Sequence, residues 1–267
     1  MSTLVTDLSS TSLIETPSNL IVHPSSTLMA CVGTTRINRH QLALIETPSG
    51  TRTHKPIPHI DIVNALIETL GFRQIDVIGD EYAISHDGMR MFGLLNLSLG
   101  FDGCRFAIGL RNGNDKSMRL ALTVGYKVAV CSNMAFDGDF TPVLAKHSAK
   151  FSIEDALAIG VDKIQRNFEP LRNQIEMWRN IQLSDMEAKN IIYTAFIEGE
   201  LEAPKSLINV VHSLYFDPIY PDFVPRTFWS LSNAFTSAFK DLNPTSQFQA
   251  TAKLGDFLNK FFPKPKK

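Results

Sequence analysis

The pattern of apolar and polar positions in the middle of the chain predicts β-strands separated by turn residues. Four segments are predicted as strands, and the last two of them show a period of two, the spacing of a half-buried β-strand. They are Arg73–Ser85, Met89–Ser98, Gly103–Arg111 and Met118–Cys131. The turn residues Asp87-Gly88 separate the first two segments, and a second turn sequence begins at Asn112. The pattern therefore predicts a three- to four-stranded antiparallel meander.

Helical periodicity flanks the meander on both sides. Ahead of it, apolar residues from Ile62 to Leu70 recur at helical spacing, and Gly71 follows as a stop. Behind it, Ser152 and Ser184 each stand three residues before an acidic residue, a capping signature. Pro170 is expected to kink or end the helix that begins after Ser152. Two further helices are predicted over Phe228–Phe239 and Phe248–Phe262. Tyr215–Pro225 is predicted to be an extended connector. Strands followed by helices indicate an α+β fold with a helical C-terminal half.

Domain organisation follows from these elements. Residues 1–52 are predicted to be an N-terminal arm and loop, rich at first in Ser, Thr and Pro, with one short strand over Leu28–Val32. Residues 53–267 are predicted to form a single α+β domain. In it, residues 53–150 supply the helix and the sheet, and residues 151–267 supply the helical half.

Composition narrows the class of protein. The chain has 267 residues, 44% hydrophobic and 20% charged, which is typical of a globular protein. No apolar run is long enough to span a membrane, and the first residues lack the features of a secretory signal. Cys31, Cys104 and Cys131 are predicted to be buried thiols in a reducing, cytoplasmic compartment. A net charge of -1 excludes a globally basic nucleic-acid binder but not a locally basic one.

A local excess of positive charge lies on the third and fourth strand segments. One face of these strands carries large apolar residues and is the predicted core. The other, which we call the second face, carries Arg105, Ala107, Gly109, Arg111, Arg119, Ala121, Thr123, Gly125, Lys127 and Ala129. Between Gly103 and Lys127 there are five cations, including Lys116 of the turn, and one anion, Asp115. A flat, positively charged sheet surface of this kind is suited to binding a phosphodiester backbone. The alternative is that later helices pack on the small residues while the cations pair with carboxylates.

The turn between these two strands has two interpretations of its own. The segment from Arg111 to Arg119 is polar, contains Gly113 and is flanked by cations. Its backbone amides could hold a phosphate. Its residue types are equally those of a plain hairpin turn.

The aromatic connector is a second candidate contact region. Tyr215, Tyr220 and Trp229, with Arg226 beside them, are suited to stacking on bases or to contacting a protein partner. The alternative is that these rings pack a segment without regular secondary structure against the core.

Candidate catalytic and metal-binding groups are sparse. His54 and His59 are five residues apart with no cluster of ligands to complete a metal site. Cys131 has no histidine at a spacing that marks a base. We predict no catalytic residue, no metal and no cofactor.

Several stretches resemble a phage- and plasmid-associated family known as domain of unknown function 932. They are HKPIPHIDIVNALIETLGF, DEYAISHDGMRMFG, FAIGLRNGNDKSMRLALTVGYKVAVCSNMAFDGDF and PRTFWSLSNAFTSAFK. The resemblance runs from about Thr53 to Leu258 and is most specific from Arg111 to Asn133. It implies a cytoplasmic protein of mobile elements or bacterial genomes, without an assigned activity. The order of elements is also similar to the core of Redβ-type and Erf-type single-strand annealing proteins, which implies DNA binding in a homo-oligomeric ring or filament.

Three functions are consistent with these observations. The first is a non-enzymatic protein that binds and anneals single-stranded DNA in recombination of mobile elements, with Arg105, Arg111, Lys116, Arg119 and Lys127 on the phosphates. The second is a protein–protein interaction module of a phage or plasmid, for example an inhibitor of a host defence system, that uses the aromatic connector. The third and least favoured is an enzyme, such as a nuclease using Asp115, Asp137 and Asp139 or a Cys-dependent transferase.

Overall fold

The computed structural model describes residues 34–131, 133–136, 143–145 and 152–261. The strands are β1 (Thr34–Ile37), β2 (Val77–Ser85), β3 (Arg90–Phe101), β4 (Cys104–Gly113), β5 (Leu120–Val128), β6 (Met134–Phe136) and β7 (Val143–Ala145). The helices are α1 (Arg39–Ala43), α2 (His59–Gly71), α3 (Ile153–Asn180), α4 (Asp185–Phe196), α5 (Ile208–Phe216), α6 (Phe228–Ala238) and α7 (Pro244–Asn259). The α+β class and the helical C-terminal half are confirmed.

The sheet is an antiparallel meander, as predicted, but it is larger than three or four strands. Strands β1 to β6 lie side by side in chain order. Strand β7 also pairs with β5, so β6 and β7 share the outer edge of that strand at different positions. The two three-residue strands β6 and β7 are too short to show an alternating pattern, which is why the sequence indicated that the strands ended before them.

A strand also precedes the first predicted helix, inside the segment assigned to the arm. Thr34–Ile37 pairs with β2 at the other edge of the sheet, and Leu42 of the short helix α1 is buried in the main core. The strand predicted over Leu28–Val32 lies outside the described residues, as do the first 25 residues and Cys31.

In the helical half, the predicted N-caps of two helices are confirmed, whereas two predicted helix ends differ from the structure. Ser152 accepts a hydrogen bond from the Asp155 amide, and Ser184 forms a complete capping box with Glu187. Pro170 does not end α3, which continues for ten residues beyond it to Asn180. The predicted extended connector is also shorter than expected, because Tyr215 belongs to the last turn of α5.

The main core lies between the helices and one face of the sheet. The Phe106 ring of β4 meets Phe168 of α3 with a centroid separation of 4.3 Å. Tyr126 of β5 meets Trp229 of α6 at 5.7 Å. Helix α2 adds Ile62, Val63, Leu66 and Leu70 to the same buried cluster. The face predicted to be the core is therefore the one on which the helices pack.

A smaller apolar cluster covers the middle of the second face. It consists of Leu94, Ala107 and Met134, with Phe136 packed against them. A β-carbon added to Gly109 would lie 2.6 Å from the Phe136 ring, and one added to Gly125 would collide with the Ala135 carbonyl. The small residues on this face therefore make room for strand β6 and its phenylalanine, whereas the sequence suggested helices or a phosphate backbone.

Substitution of Gly125 by alanine tests this packing. We expect Gly125→Ala to destabilise the protein by about 1–3 kcal/mol, since the added methyl group must displace the backbone of β6. The matched control is Gly255→Ala in the interior of α7, where a β-carbon meets nothing within 4 Å and alanine should stabilise the helix by up to about 1 kcal/mol. Urea unfolding followed by circular dichroism measures both. Equal midpoints for the two variants would contradict the packing described here.

Candidate nucleic-acid interface

Four of the five predicted phosphate-contacting cations lie along strands β4 and β5 or at the start of β5. Arg105 and Lys127 are direct partners in the β4–β5 register, and Arg111 is opposite Ala121. Arg105, Lys116 and Arg119 are exposed, whereas Arg111 and Lys127 are half-buried. Burial lowers the pKa of Arg111.

The structure divides these cations between two ends of the sheet. Arg105 and Lys127 mark one end, and Arg111, Lys116 and Arg119 mark the other. Arg111 is six positions after Arg105 along β4, which corresponds to about 20 Å. Phe136 and its small cluster occupy the space between them. The prediction of a continuous flat basic surface is therefore wrong, because Phe136 of β6 covers the middle of the second face.

Some cations of the molecule form ion pairs with carboxylates. Arg36 pairs with Glu81 at 3.1 Å, and Arg73 pairs with Asp162 at 2.7 Å. Within the described part of the chain, no carboxylate forms an ion pair with Arg105, Lys116, Arg119 or Lys127. The alternative in which rim carboxylates neutralise these cations does not hold for the described residues.

Arg90 is a further cation of the second face that the sequence analysis missed. It is exposed, it is the register partner of Gly113, and its Nε lies 3.6 Å from the Asp115 carboxylate. The β3–β4 register thus places it diagonally beside Arg111, at the turn end of the sheet. Its position at the start of a strand segment was visible in the sequence, but its neighbours depend on the strand pairing.

The turn between β4 and β5 uses its own amides in protein contacts. The Asn114 amide donates to the Met89 carbonyl at 2.8 Å, and the Ser117 amide donates to the Asp115 carboxylate at 3.0 Å. Lys116 takes a left-handed backbone conformation with φ of 65°. These contacts are those of a tight polar turn, and they favour the hairpin interpretation over an anion-binding loop.

A set of asparagine and histidine contacts, which we call the polar clamp, fixes this turn to the segment before α2. The Asn114 side chain accepts from the Ile57 amide and donates to the Ile57 carbonyl, each at 3.0 Å. His54 Nε2 lies 3.0 Å from the Asn114 carbonyl oxygen. Asn112 donates to His59 Nδ1 at 2.9 Å, and His59 Nε2 donates to the Gly88 carbonyl at 3.0 Å. Both imidazoles thus have structural partners in the positions where a metal ligand was considered.

The aromatic candidates are mostly interior side chains. Tyr215 is fully buried and Trp229 nearly so. Arg226 stacks on the rings of Tyr215 and Phe216 and donates hydrogen bonds to both of their carbonyl groups, which caps the end of α5. Tyr220, 37% exposed, is the one predicted aromatic contact with a ring at the surface. The packing alternative therefore accounts for Tyr215, Trp229 and Arg226.

The remaining candidate catalytic or metal-binding residues are cysteines and aspartates. Cys104 and Cys131 are free and buried, as predicted, and burial raises the pKa of Cys104 to about 11 and also raises that of Cys131. Asp115 accepts hydrogen bonds from its own turn, while Asp137 and Asp139 lie outside the described residues. Among the residues that the structure describes, no three potential metal ligands form a group.

Comparison with protein-family models, with curated proteins and with solved structures finds no match to this chain. The resemblance to the domain of unknown function 932 and the similarity to annealing proteins stay predictions. No helix in the described residues is both long and apolar enough to cross a membrane.

The polar clamp makes stability depend on pH through His59. Burial lowers the pKa of His59 below its ordinary value of about 6.5. The unfolded chain therefore binds this proton more readily, and the stabilisation is present above pH ~6.5 and is lost as the pH falls below it. We expect the free energy of unfolding to decrease between pH 7 and 5 by at most about 1.4 kcal/mol per pH unit from this group.

Urea unfolding at several pH values measures this dependence. His59→Gln should remove part of the slope between pH 7 and 5, while His86→Gln, at an exposed turn, should leave it unchanged. Parallel pH profiles for both variants and the unmodified protein would exclude His59 as the group responsible.

Proposed function

We propose that this protein binds single-stranded nucleic acid, without catalysing a reaction on it, as a DNA-binding and annealing protein in recombination of mobile elements. The observation that carries the proposal is the set of second-face cations Arg105, Lys116, Arg119 and Lys127, none of which forms an ion pair with a carboxylate among the described residues. Arg105 and Lys127 form one group at one end of the sheet. Lys116 and Arg119 lie at the other end together with Arg111 and with Arg90, which pairs with Asp115.

The spacing of the two groups supports a backbone-tracking mode of binding. A separation of about 20 Å corresponds to about six nucleotides of a stacked strand, because each nucleotide of one strand advances about 3.4 Å along the helix axis. This lies within the site sizes of sheet-based single-strand binders, which are about 4–16 nucleotides. Each end of the sheet would hold phosphates, and the strand would pass over the Phe136 cluster between them.

The charge of the whole chain shapes the expected affinity. Since the net charge is only -1, long-range attraction of a polyanion is weak, and affinity depends on local contacts. Binding should therefore be weakly sequence-specific and fall steeply with salt, with a slope set by the number of phosphates contacted.

A double variant at one end of the sheet tests the proposal. Arg105→Ala with Lys127→Ala should weaken single-strand binding and reduce the slope of log affinity against log salt by about 1.4, because each lost contact removes about 0.7. Fluorescence anisotropy of a labelled oligonucleotide, single-stranded and duplex, at about 50 and 200 mM salt gives both quantities.

The matched control removes the same charge from the helical side of the molecule. Lys163→Ala with Arg166→Ala alters two exposed residues of α3. The control should bind as the unmodified protein does, and all melting temperatures should agree closely. If the two double variants lowered the affinity for the oligonucleotide equally, the effect would come from net charge alone. If the unmodified protein did not bind at low salt, the proposal would be refuted.

A second candidate function, interaction with a protein partner, has one specific observation in its favour. The connector after α5 exposes Ile219 by 75%, Val224 by 59% and Tyr220 by 37%. Its position is nevertheless fixed, because Arg226 holds the chain to the end of α5. Exposed apolar side chains on an anchored segment are suited to protein contacts.

Introduction of negative charge into the connector separates this function from the first. Ile219→Asp with Val224→Asp should abolish capture of a specific partner in a pull-down while leaving single-strand binding unchanged, because neither residue belongs to the second face. Leu44→Asp with Met186→Asp, two exposed apolar positions elsewhere, serves as the control. Loss of capture by both double variants alike would contradict a specific role for the connector.

A further inference from the structure

A cleft opens at the end of the sheet that carries Arg105 and Lys127. Its volume is about 320 Å³, which lies at the small end of ligand pockets. One side comes from the β3–β4 turn and the end of β5, and the other comes from the connector and the start of α6. The lining residues are Asp102, Gly103, Val128, Val130, Arg179, Asp222, Phe223, Pro225, Thr227 and Trp229. We call it the Arg179 cleft.

Arg179 is held in this cleft by two kinds of contact. Its guanidinium lies over the Trp229 ring at 5.1 Å from the ring centroid. Its Nη2 donates to the Asp102 carbonyl at 2.6 Å and to the Cys104 sulfur at 3.6 Å. No described residue accepts a hydrogen bond from its Nε or Nη1, so these donors are available to a ligand.

The walls and the rim of the cleft favour a planar group over a phosphate. Val128, Phe223 and Pro225 provide apolar contact surface. The Asp222 carboxylate would repel a phosphate but can accept a hydrogen bond from an amino or imino group. A planar guanidinium held in place is one of the surfaces on which proteins stack bases.

The cleft adjoins one of the two cation groups. Lys127 is the residue before Val128, and Arg105 follows Gly103 by two positions, so the backbones of both cations lie within about 7 Å of cleft residues. Their side chains point to the second face, whereas Val128 points to the helical side, so a bound strand reaches the cleft from these cations by crossing the end of the sheet. Lys240 adds another positive charge nearby, where it donates to the Cys131 carbonyl at 2.5 Å. A strand with its phosphates at this end of the sheet would have a base within reach of the cleft.

We infer that the Arg179 cleft receives one nucleobase of the bound single strand, placed against the Arg179 guanidinium and the apolar walls, while phosphates further along the strand, across the end of the sheet, contact Arg105 and Lys127. This inference rests on the proposed function and adds to it a site for one base. It also assigns Trp229 a part in binding, as the buried support beneath Arg179 rather than as a ring that stacks on the base.

The experiment compares oligothymidylate with an abasic strand of the same length at about 50 mM salt. The protein has two tryptophans, so Trp178→Phe leaves Trp229 as the single fluorescent reporter in the cleft. We expect oligothymidylate to quench Trp229 emission and to bind roughly five- to a hundredfold more tightly than the abasic strand, the range for one stacked base. Thymidine monophosphate at millimolar concentration should produce weaker quenching of the same reporter. Quenching by the mononucleotide and none by the strand would overturn the inference.

A cleft-filling variant provides the second measurement. Val130→Phe should weaken binding of oligothymidylate and leave binding of the abasic strand unchanged, whereas Val210→Phe, at a partly exposed valine of α5, should alter neither. The comparison of strands uses cleft residues in their natural form, so it decides the question even where Val130→Phe does not fold.

The outcomes separate this inference from the proposed function. Equal affinity for the two strands with unchanged Trp229 emission would overturn the Arg179 cleft as a base site while leaving phosphate binding intact. Absence of binding to either strand at low salt would refute the proposed function and the base site together.

Discussion

The packing of helices α3 and α6 on one face of the antiparallel sheet is the constraint on which the rest of the structure depends. Side chains alternate along β4 and β5, so burial of Phe106 and Tyr126 against these helices directs Arg105 and Lys127 to the opposite side. A shift of one residue in either strand would bring the cations into the core, where unpaired charge is too costly to bury. The strand register therefore determines which face of the sheet carries the positive charge.

The second face is shaped by a strand edge rather than by helices. Strand β6 pairs with β5 at Gly125 and turns Phe136 over the glycine positions. This contact explains why small residues occupy the centre of the face, and it divides the cations into two groups. The proposed interface is accordingly two anchoring points for phosphates with an apolar bridge between them.

The polar residues between β4 and β5 proved to have a structural role that their composition did not reveal. Asn112 and Asn114 hold His59 and Ile57, and through them the start of α2, against the turn end of the sheet. Amide side chains serve this purpose because each can donate and accept, which satisfies backbone groups that a segment without regular structure would otherwise leave unpaired. At the other end of the sheet, Arg179 and Trp229 form the corresponding polar and aromatic junction with the helices.

The sequence by itself determined the α+β class, the central strands with their core face, the helix caps at Ser152 and Ser184, and the five cations, because each rests on local spacing or local hydrogen bonding. Only the tertiary structure determined which segments and side chains are neighbours in space. It paired the edge strand Thr34–Ile37, added β6 and β7, brought Arg90 to Arg111, and buried Tyr215 beneath Arg226. It also assembled the Arg179 cleft from four separated segments. Strands β6 and β7 are too short to show an alternating pattern, and the other features depend on contacts between separate segments of the chain, which leave no periodic mark on either partner.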